Sequence, residues 1–145
     1  MLRRLLTLLM KTVQFAAKFD YLDDIREFVG AIARDGGFSD KDVYNIQLAT
    51  DEAASNIIEH AYEKITDGVL ELSCGVRDDR ITIVLTDHGE SFDPSEIPLP
   101  DLKADLSDRK IGGLGIFLMR KLMDEVHYEA KANKSNVLTM TKRKR

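Results

Sequence analysis

The feature that most constrains the fold of this chain is the order in which its apolar residues change their spacing. Two stretches with helical spacing, residues 22–36 and 39–62, come before two stretches that alternate, residues 69–76 and 80–87. Apolar residues three or four apart line one face of a helix, whereas alternation places every second side chain on one face of a strand. The sequence therefore predicts two consecutive helices followed by a β-hairpin.

Further elements flank these four. Residues 12–19 alternate and predict an edge or near-edge strand, a third main helix begins at Gly113, and two last strands are predicted at 126–130 and 136–142. Residues 89–111 contain all three prolines and little periodicity, which is typical of a functional loop. The order of elements predicts an α+β fold, a two-layer sandwich with three main helices packed on one face of a mixed, largely antiparallel sheet.

The sequence also indicates how the two consecutive helices begin and end. Asp20 or Asp23 can cap the first helix, Gly36 and Gly37 end it, and Ser39 caps the second. The second helix carries an apolar stripe that should face the core. Its residues are Val43, Ile46, Ala49, Ala53 and Ile57.

Length and composition limit the class of protein. The 145 residues suffice for one domain, and a net charge of −4 argues against a general nucleic-acid binder.

We divide the chain into a leader (1–11), a domain (12–142) and a basic tail (143–145). Lys11 interrupts the apolar leader well short of a transmembrane length, so we expect no stable membrane association. Cys74 is predicted to be a buried, reduced thiol, which fits the cytoplasm.

A carboxylate and a carboxamide lie four residues apart in the second predicted helix. Glu52 and Asn56 project from the same side of that helix, at the border of its apolar stripe. A carboxylate can orient a nucleophile, and an amide oxygen can ligate Mg²⁺. The pair therefore suits phosphate chemistry.

A second candidate segment follows the hairpin. Asp87 ends the predicted strand, and Gly89 comes two residues later. A carboxylate at a strand end can accept a hydrogen bond from an exocyclic amine such as that of adenine, and a glycine leaves room for a flat ring. Taken by itself, the same Asp-X-Gly sequence is also common in ordinary turns.

A third candidate segment is the glycine-rich sequence 112–115 at the start of the third helix. Its backbone amides can approach an anion, and a helix N-terminus favours negative charge. Arg109 and Lys110, just upstream, can add contacts to phosphate oxygens. A hinge before an ordinary helix is an equally good interpretation of this segment alone.

Taken in order, the three segments resemble the N, G1 and G2 boxes of the GHKL ATP-binding superfamily. The chain is most similar there to the small stand-alone anti-sigma-factor serine-protein kinases, whose pattern is echoed at residues 49–56, 92–94 and 112–119. The resemblance covers roughly residues 12–142. It implies the Bergerat fold of histidine-kinase-like ATPase domains, with ATP and Mg²⁺ as cofactors.

The resemblance also implies a role for each matching residue. Asn56 would ligate Mg²⁺, and Glu52 would be the catalytic base that orients the attacking group. Asp87 would accept a hydrogen bond from the adenine amine, with Gly89 beside the ring, and residues 92–111 would form a lid over ATP. The other nucleotide-binding residues that the resemblance implies are Asp93, Lys110, Gly112, Gly113, Leu114, Gly115 and Asn136.

Two positions depart from the family pattern. Ser91 stands where the family usually has a second glycine, and the pair Ser135 and Asn136 stands where it often has Gly-Thr. Asn136 could replace the hydrogen bond of the threonine hydroxyl. Because of these departures, an ATP-binding regulatory module with little or no phosphotransfer is the alternative to a kinase, and a scaffold that binds no nucleotide is a third hypothesis.

The partners follow from the resemblance as well. It implies a protein kinase that phosphorylates a small anti-sigma-factor antagonist on serine and that forms a homodimer, which holds either a sigma factor or the antagonist. No direct contact with nucleic acid is expected. We assign no chemistry to His60, His88 or His127, because these residues and Cys74 lack the ligand spacing of a structural zinc site.

Overall fold

The computed structural model describes residues 10–61, 67–89, 113–131 and 134–145. The helices and strands of these ranges follow one another as β1 (Lys11–Ala16), α1 (Leu22–Asp35), α2 (Asp40–Asn56), β2 (Val69–Arg77), β3 (Arg80–Asp87), α3 (Gly113–Leu122), β4 (Glu125–Ala130) and β5 (Asn136–Arg143). A short 3₁₀ turn, Phe19–Tyr21, precedes α1, and a π-helical turn, Ile57–Ala61, continues α2. The predicted order of elements is confirmed.

The strands form one five-stranded sheet in the order β1-β2-β3-β5-β4. Each of the pairings in the described residues is antiparallel, so the mixed character that the sequence suggested is not seen there. β1 lies at one edge, as predicted, but it ends at Ala16 because the chain turns into the 3₁₀ turn before Phe19. In the predicted hairpin, Asp78 adopts a φ of 56°, a conformation that aspartate tolerates in turns.

The three helices pack on one face of this sheet, with α1 and α3 each against α2. All five residues of the predicted α2 stripe are buried. They meet the inward-facing side chains of β2 and β3, which alternate as the sequence predicted. The inward-facing residues of these two strands are Leu70, Leu72, Cys74, Ile81, Ile83 and Leu85. The two-layer α+β sandwich is therefore confirmed.

The helix ends differ in how well the sequence predicted them. The Ser39 hydroxyl accepts a hydrogen bond from the backbone N–H of Asp42 at 3.2 Å, so the predicted cap of α2 is confirmed. The predicted cap of α1 is wrong. Tyr21 occupies the N-cap position with no side-chain bond, and Asp23 lies inside the first turn, where its charge favours the helix dipole instead.

The C-terminus of α1 ends at the glycine pair, as predicted. Gly37 has a φ of 87°. The backbone N–H of Phe38 bonds to Ala33 O at 3.1 Å, and that of Gly37 to Arg34 O at 2.9 Å. These two bonds form a Schellman motif, which needs the left-handed conformation that glycine adopts most readily.

Two further predictions can be compared with the described residues. Cys74 is fully buried, and burial raises the pKa of its thiol to about 12. Among the helices of the described ranges, none combines the length and the apolar character that crossing a bilayer requires.

Candidate functional site

The end of α2 and the end of β3 meet at a small cavity on the helical side of the sheet. Asn56 is the last residue of α2, and Asp87 is the last residue of β3. The structure thus brings together the predicted metal ligand and the predicted base-recognising carboxylate. The described residues that line the cavity are Ala53, Asn56, Ile57, Asp87, Met119, Tyr128 and Leu138.

Asp87 is a buried carboxylate with organised hydrogen-bond donors. Its exposed fraction is 3%, and its Oδ1 accepts hydrogen bonds from the backbone N–H of Gly89 and from Nδ2 of Asn136, both at 2.9 Å. Burial raises the pKa of Asp87, while these two hydrogen bonds and the charge of His88 act in the opposite direction. Asp87 and Gly89, which the sequence analysis assigned to one candidate segment, are therefore joined by a hydrogen bond.

Asn136 reaches this carboxylate from the neighbouring strand. In the antiparallel register of β3 and β5, Asn136 lies directly opposite Asp87. Its Nδ2 also donates to the carbonyl oxygen of Gly89 at 3.0 Å, and its exposed fraction is only 1%. Asn136, Asp87 and Gly89 therefore form one buried hydrogen-bonded group at this end of the sheet.

Asn56 brings a buried amide to the cavity. Its exposed fraction is 5%, and its Nδ2 has no hydrogen-bond partner in the described part of the protein. A buried polar group without a partner costs roughly 1–3 kcal/mol, so such groups in native proteins call for an explanation. The side chain also carries an oxygen suited to a hard cation.

Glu52 lies one turn before Asn56 on α2 and is half-buried. Burial first, and then the negative charges of Asp51 and Glu59, raise the pKa of the Glu52 carboxyl above that of an ordinary glutamate. Glu52 is not among the described residues that line the cavity, so the structure does not place it with Asn56 there. A raised pKa nevertheless makes its carboxylate a stronger proton acceptor than that of an ordinary glutamate.

The neighbour of Glu52 connects two helices. Asp51 Oδ1 lies 3.7 Å from Nε of Arg26 on α1, and Arg26 also forms an ion pair with Asp23. The negative charge that raises the pKa of Glu52 is thus held beside a cation from the adjacent helix. Sequence reasoning gave no role to Asp51 or Arg26, because only the packing of α1 on α2 brings them together.

The remaining predicted site residues cannot be placed in the same way. Asp93, Lys110 and Gly112 lie outside the described residues, as does Ser91. The helix α3 is described from Gly113, so the backbone of the sequence 113–115 opens a helix as predicted. Nucleotide binding by these residues stays a prediction.

Three cavity-lining residues were missed by the sequence reasoning. Met119, Tyr128 and Leu138 come from α3, β4 and β5, and each contributes an apolar surface beside Asp87. The sequence analysis gave them no role, since local spacing does not indicate which apolar residues border a polar group. A flat aromatic ring such as a purine suits walls of this kind.

A larger cavity of about 430 Å³ lies on the opposite face of the sheet. It is lined by the outward-facing side chains of the first three strands, among them Thr12, Ser73, Thr82 and Thr86. None of the site residues that the sequence predicted lines it within the described ranges. The smaller cavity, where Asp87 and the amide of Asn56 converge, is therefore the candidate functional site.

Known proteins share this fold. The family described as the histidine kinase-like ATPase domain matches residues 15–142. The chain therefore belongs to the histidine kinase-like ATPase domain family. Its resemblance to the GHKL superfamily, inferred from the three boxes, is confirmed.

Curated relatives indicate which kind of protein this chain resembles within the family. The serine-protein kinase RsbW of Halalkalibacterium halodurans is 37% identical over 131 residues, which cover 87% of this chain and 78% of that protein. RsbW of Bacillus licheniformis is 36% identical over 118 residues, covering 78% of this chain and 73% of that protein. The chain thus matches most of the length of serine-protein kinases of the RsbW type.

A solved structure confirms the fold. The structure of the RsbU and RsbW domains of Rv1364c from Mycobacterium tuberculosis superposes with a TM-score of 0.67 at 16% identity. The match covers 92% of this chain and 32% of that protein, so it corresponds to about a third of a longer chain. At this identity the likeness concerns the arrangement of helices and strands alone.

Proposed function

We propose that this chain is an ATP-dependent serine/threonine-protein kinase and anti-sigma factor that phosphorylates a small anti-sigma-factor antagonist on serine. It is a protein-serine kinase of the RsbW type within the histidine kinase-like ATPase domain family. The observation that carries the proposal is the meeting of Asn56 and Asp87 at one cavity, where the helix with the predicted metal ligand abuts the strand with the predicted base acceptor.

The adenine of ATP is held at Asp87. Among the described residues, the recorded hydrogen bonds to this carboxylate all reach Oδ1. The second oxygen, Oδ2, is therefore the acceptor for the exocyclic amine, while Gly89 leaves room beside the ring. The apolar side chains of Met119 and Leu138 flank the base.

Asn56 holds the magnesium ion of Mg-ATP. Its Nδ2 has no hydrogen-bond partner among the described residues, and its amide oxygen is the atom suited to ligate Mg²⁺. One protein oxygen is sufficient when phosphate oxygens and waters supply the other ligands. Bound Mg²⁺ neutralises the charge on the phosphates.

Glu52 is the base that orients the attacking serine hydroxyl. Its raised pKa strengthens its ability to accept a proton relative to an ordinary glutamate. The phosphates lie at the N-terminus of α3, where free backbone amides and the helix dipole stabilise negative charge. Lys110 and Asp93 contribute from the lid, residues 92–111.

The partners and location complete the proposal. The chain forms a homodimer in the cytoplasm and binds the antagonist as its protein substrate, with a sigma factor as the competing partner. Support comes from the likeness to RsbW kinases over most of their length. No contact with nucleic acid is involved, in keeping with a net charge of −4.

A kinase assay tests the proposal. The chain is incubated with ATP, Mg²⁺ and the antagonist encoded beside it, and phosphoserine on the antagonist is measured by mass spectrometry. Transfer should be lost in Glu52→Gln while ATP still binds, and it should persist in Glu27→Gln, a matched substitution at an exposed position of α1. Binding of ATP without phosphoserine in the unaltered chain would instead favour the regulatory module.

A further inference from the structure

The hydrogen bonds of Asn136 identify a role that differs from direct contact with the nucleotide. A side-chain amide nitrogen carries two hydrogens. In this structure Nδ2 of Asn136 donates to Asp87 Oδ1 at 2.9 Å and to Gly89 O at 3.0 Å. Both hydrogens of the nitrogen are therefore committed within the protein, and neither is available to the base.

We propose that Asn136 is a positioning residue that determines base specificity by fixing the carboxylate of Asp87, so that a single oxygen faces the purine. The inference rests on the proposed function and refines how its site recognises adenine. Asn136 acts through Asp87 and does not itself donate to the nucleotide.

The geometry explains how this selection works. Gly89 N–H and Asn136 Nδ2 both approach Oδ1, so rotation of the carboxyl group would break two hydrogen bonds at once. The group is 3% exposed, which excludes bulk water as a replacement partner. Because the carboxylate is held in this orientation, Oδ2, which receives none of the hydrogen bonds recorded among the described residues, is the acceptor that faces the base, and a purine with an amine at position 6 matches it.

The strand register makes the arrangement rigid. Asn136 and Asp87 are opposite one another at the end of the ladder between β3 and β5, so the two backbones set the distance between their side chains. The bond from Asn136 to Gly89 O extends this connection beyond the last strand residue. The residue that positions the carboxylate thus also holds the backbone where the chain leaves the sheet.

The test compares two nucleotides whose difference is the amine itself. Affinities of the full-length chain for ATP and for purine riboside triphosphate, which carries hydrogen at position 6, are measured by titration calorimetry in the presence of Mg²⁺. In Asn136→Ala the affinity for ATP should fall roughly tenfold, the size expected for a hydrogen bond to a charged group. The affinity for purine riboside triphosphate should change by less than about twofold.

Two additional variants guard against a general loss of structure. Asn136→Ser keeps one hydrogen-bond donor, so it should retain part of the preference for ATP over purine riboside triphosphate. It replaces Asn136→Ala in the test if that variant folds poorly. Thr139 lies on the outward face of the same strand, so Thr139→Ala should leave both affinities unchanged.

A double variant tests whether Asn136 acts through Asp87. In an Asp87→Asn background, Asn136→Ala should no longer change the ratio of the two affinities.

Three results would contradict the inference. An equal loss of both affinities would show that Asn136 has a structural role only. An unchanged ATP affinity in Asn136→Ala and Asn136→Ser would show that the carboxylate needs no positioning. If the unaltered chain bound neither nucleotide, the proposed function itself would fail, which is a separate and earlier outcome of the same titration.

Discussion

Lys142 on β5 donates a hydrogen bond through its ammonium group to the carbonyl oxygen of Leu122, the last residue of α3, at 2.6 Å. The lysine is 5% exposed, so a cation is buried against the negative end of the helix. This contact joins the sheet to the helix whose N-terminus is proposed to bind phosphate. The anchor lies at the opposite end of α3 from the glycines.

Replacing this anchor should reduce stability. We expect Lys142→Met to lower the free energy of unfolding by about 1–3 kcal/mol, because the carbonyl of Leu122 loses its charged donor in a buried setting. Urea denaturation followed by circular dichroism measures the change. Lys41→Met, at an exposed position of α2, is the matched control and should change stability by less than about 0.5 kcal/mol.

Binding of ATP should depend on the ionisation of Asp87. Because burial raises its pKa, the carboxylate gains its proton at a higher pH than an ordinary aspartate, and ATP affinity should weaken as the pH falls through that raised pKa. Titration of ATP binding from pH 7 downward measures this limb. Asp87→Asn should bind ATP at least about tenfold more weakly at pH 7 and should lack the limb.

The same pKa has a consequence for stability. A carboxyl group whose pKa is higher in the folded than in the unfolded chain binds its proton more tightly in the folded state. The contribution of Asp87 to the free energy of unfolding should therefore be greatest below the pKa of the unfolded chain and should fall as the pH rises through the folded pKa. A pH series of denaturation curves on the nucleotide-free chain, with Asp87→Asn alongside, should show this difference, and a flat difference would contradict it.

The activity of the kinase should respond to the charge beside Glu52. Asp51 raises the pKa of Glu52, so Asp51→Asn should shift the acid limb of the pH profile of kcat/KM to lower pH. The profile is measured on antagonist phosphorylation. Asp24→Asn, an exposed substitution in the first turn of α1, should leave the limb in place.

The ion pair with Arg26 provides a second check on this prediction. Asp51 loses its partner at 3.7 Å in Arg26→Gln, so its negative charge acts on Glu52 with less compensation. The acid limb should then move in the opposite direction, toward higher pH. A shift of the same sign in both variants would contradict an electrostatic cause.

Removal of the Asn56 amide should separate metal-dependent binding from folding. The Nδ2 atom is buried without a partner in the described residues, so Asn56→Ala gives up no recorded hydrogen bond of that atom. We expect Tm of the nucleotide-free chain to change by no more than about 4 °C, while the rise in Tm that Mg-ATP produces is lost. Differential scanning fluorimetry with ATP plus Mg²⁺, and with ATP plus a chelator, measures both quantities.

Asn45→Ala is the matched control for this experiment. Asn45 is a partly exposed asparagine of the same helix, about three turns earlier. Its substitution should leave the response to Mg-ATP intact. An unchanged Mg-ATP response in Asn56→Ala would argue against Asn56 as the magnesium ligand.

The sequence predicted the elements well where spacing alone decides them. The α2 stripe from Val43 to Ile57 and the alternation of β2 and β3 are confirmed, since burial of one face follows directly from periodicity. The sequence predicted the ends of helices and strands less accurately. The cap of α1 was assigned to Asp20 or Asp23, but the 3₁₀ turn places Tyr21 there, and such a turn depends on how β1 leaves the sheet.

The residues of the candidate site also divide into those that the sequence predicted and those that only the structure revealed. The sequence predicted Asn56, Asp87 and Gly89 as site residues because each belongs to a short motif, and the structure places Asn56 and Asp87 at one cavity and joins Gly89 to Asp87 by a hydrogen bond. Met119, Tyr128 and Leu138 were not predicted, because their elements are far apart in the chain and only packing brings them to one cavity. The residues of the lid, including Asp93 and Lys110, remain predictions.

By itself the sequence determined the order of helices and strands, the residues that face the core, the family and the segments in which the site residues lie. These depend on local spacing and on short motifs, which are complete within a few turns of chain. Only the tertiary structure decided that Asn136 holds Asp87, that Arg26 faces Asp51 and that Glu52 lies apart from the described cavity lining. Strand register and helix packing set those distances between residues remote in sequence, and no local pattern records them.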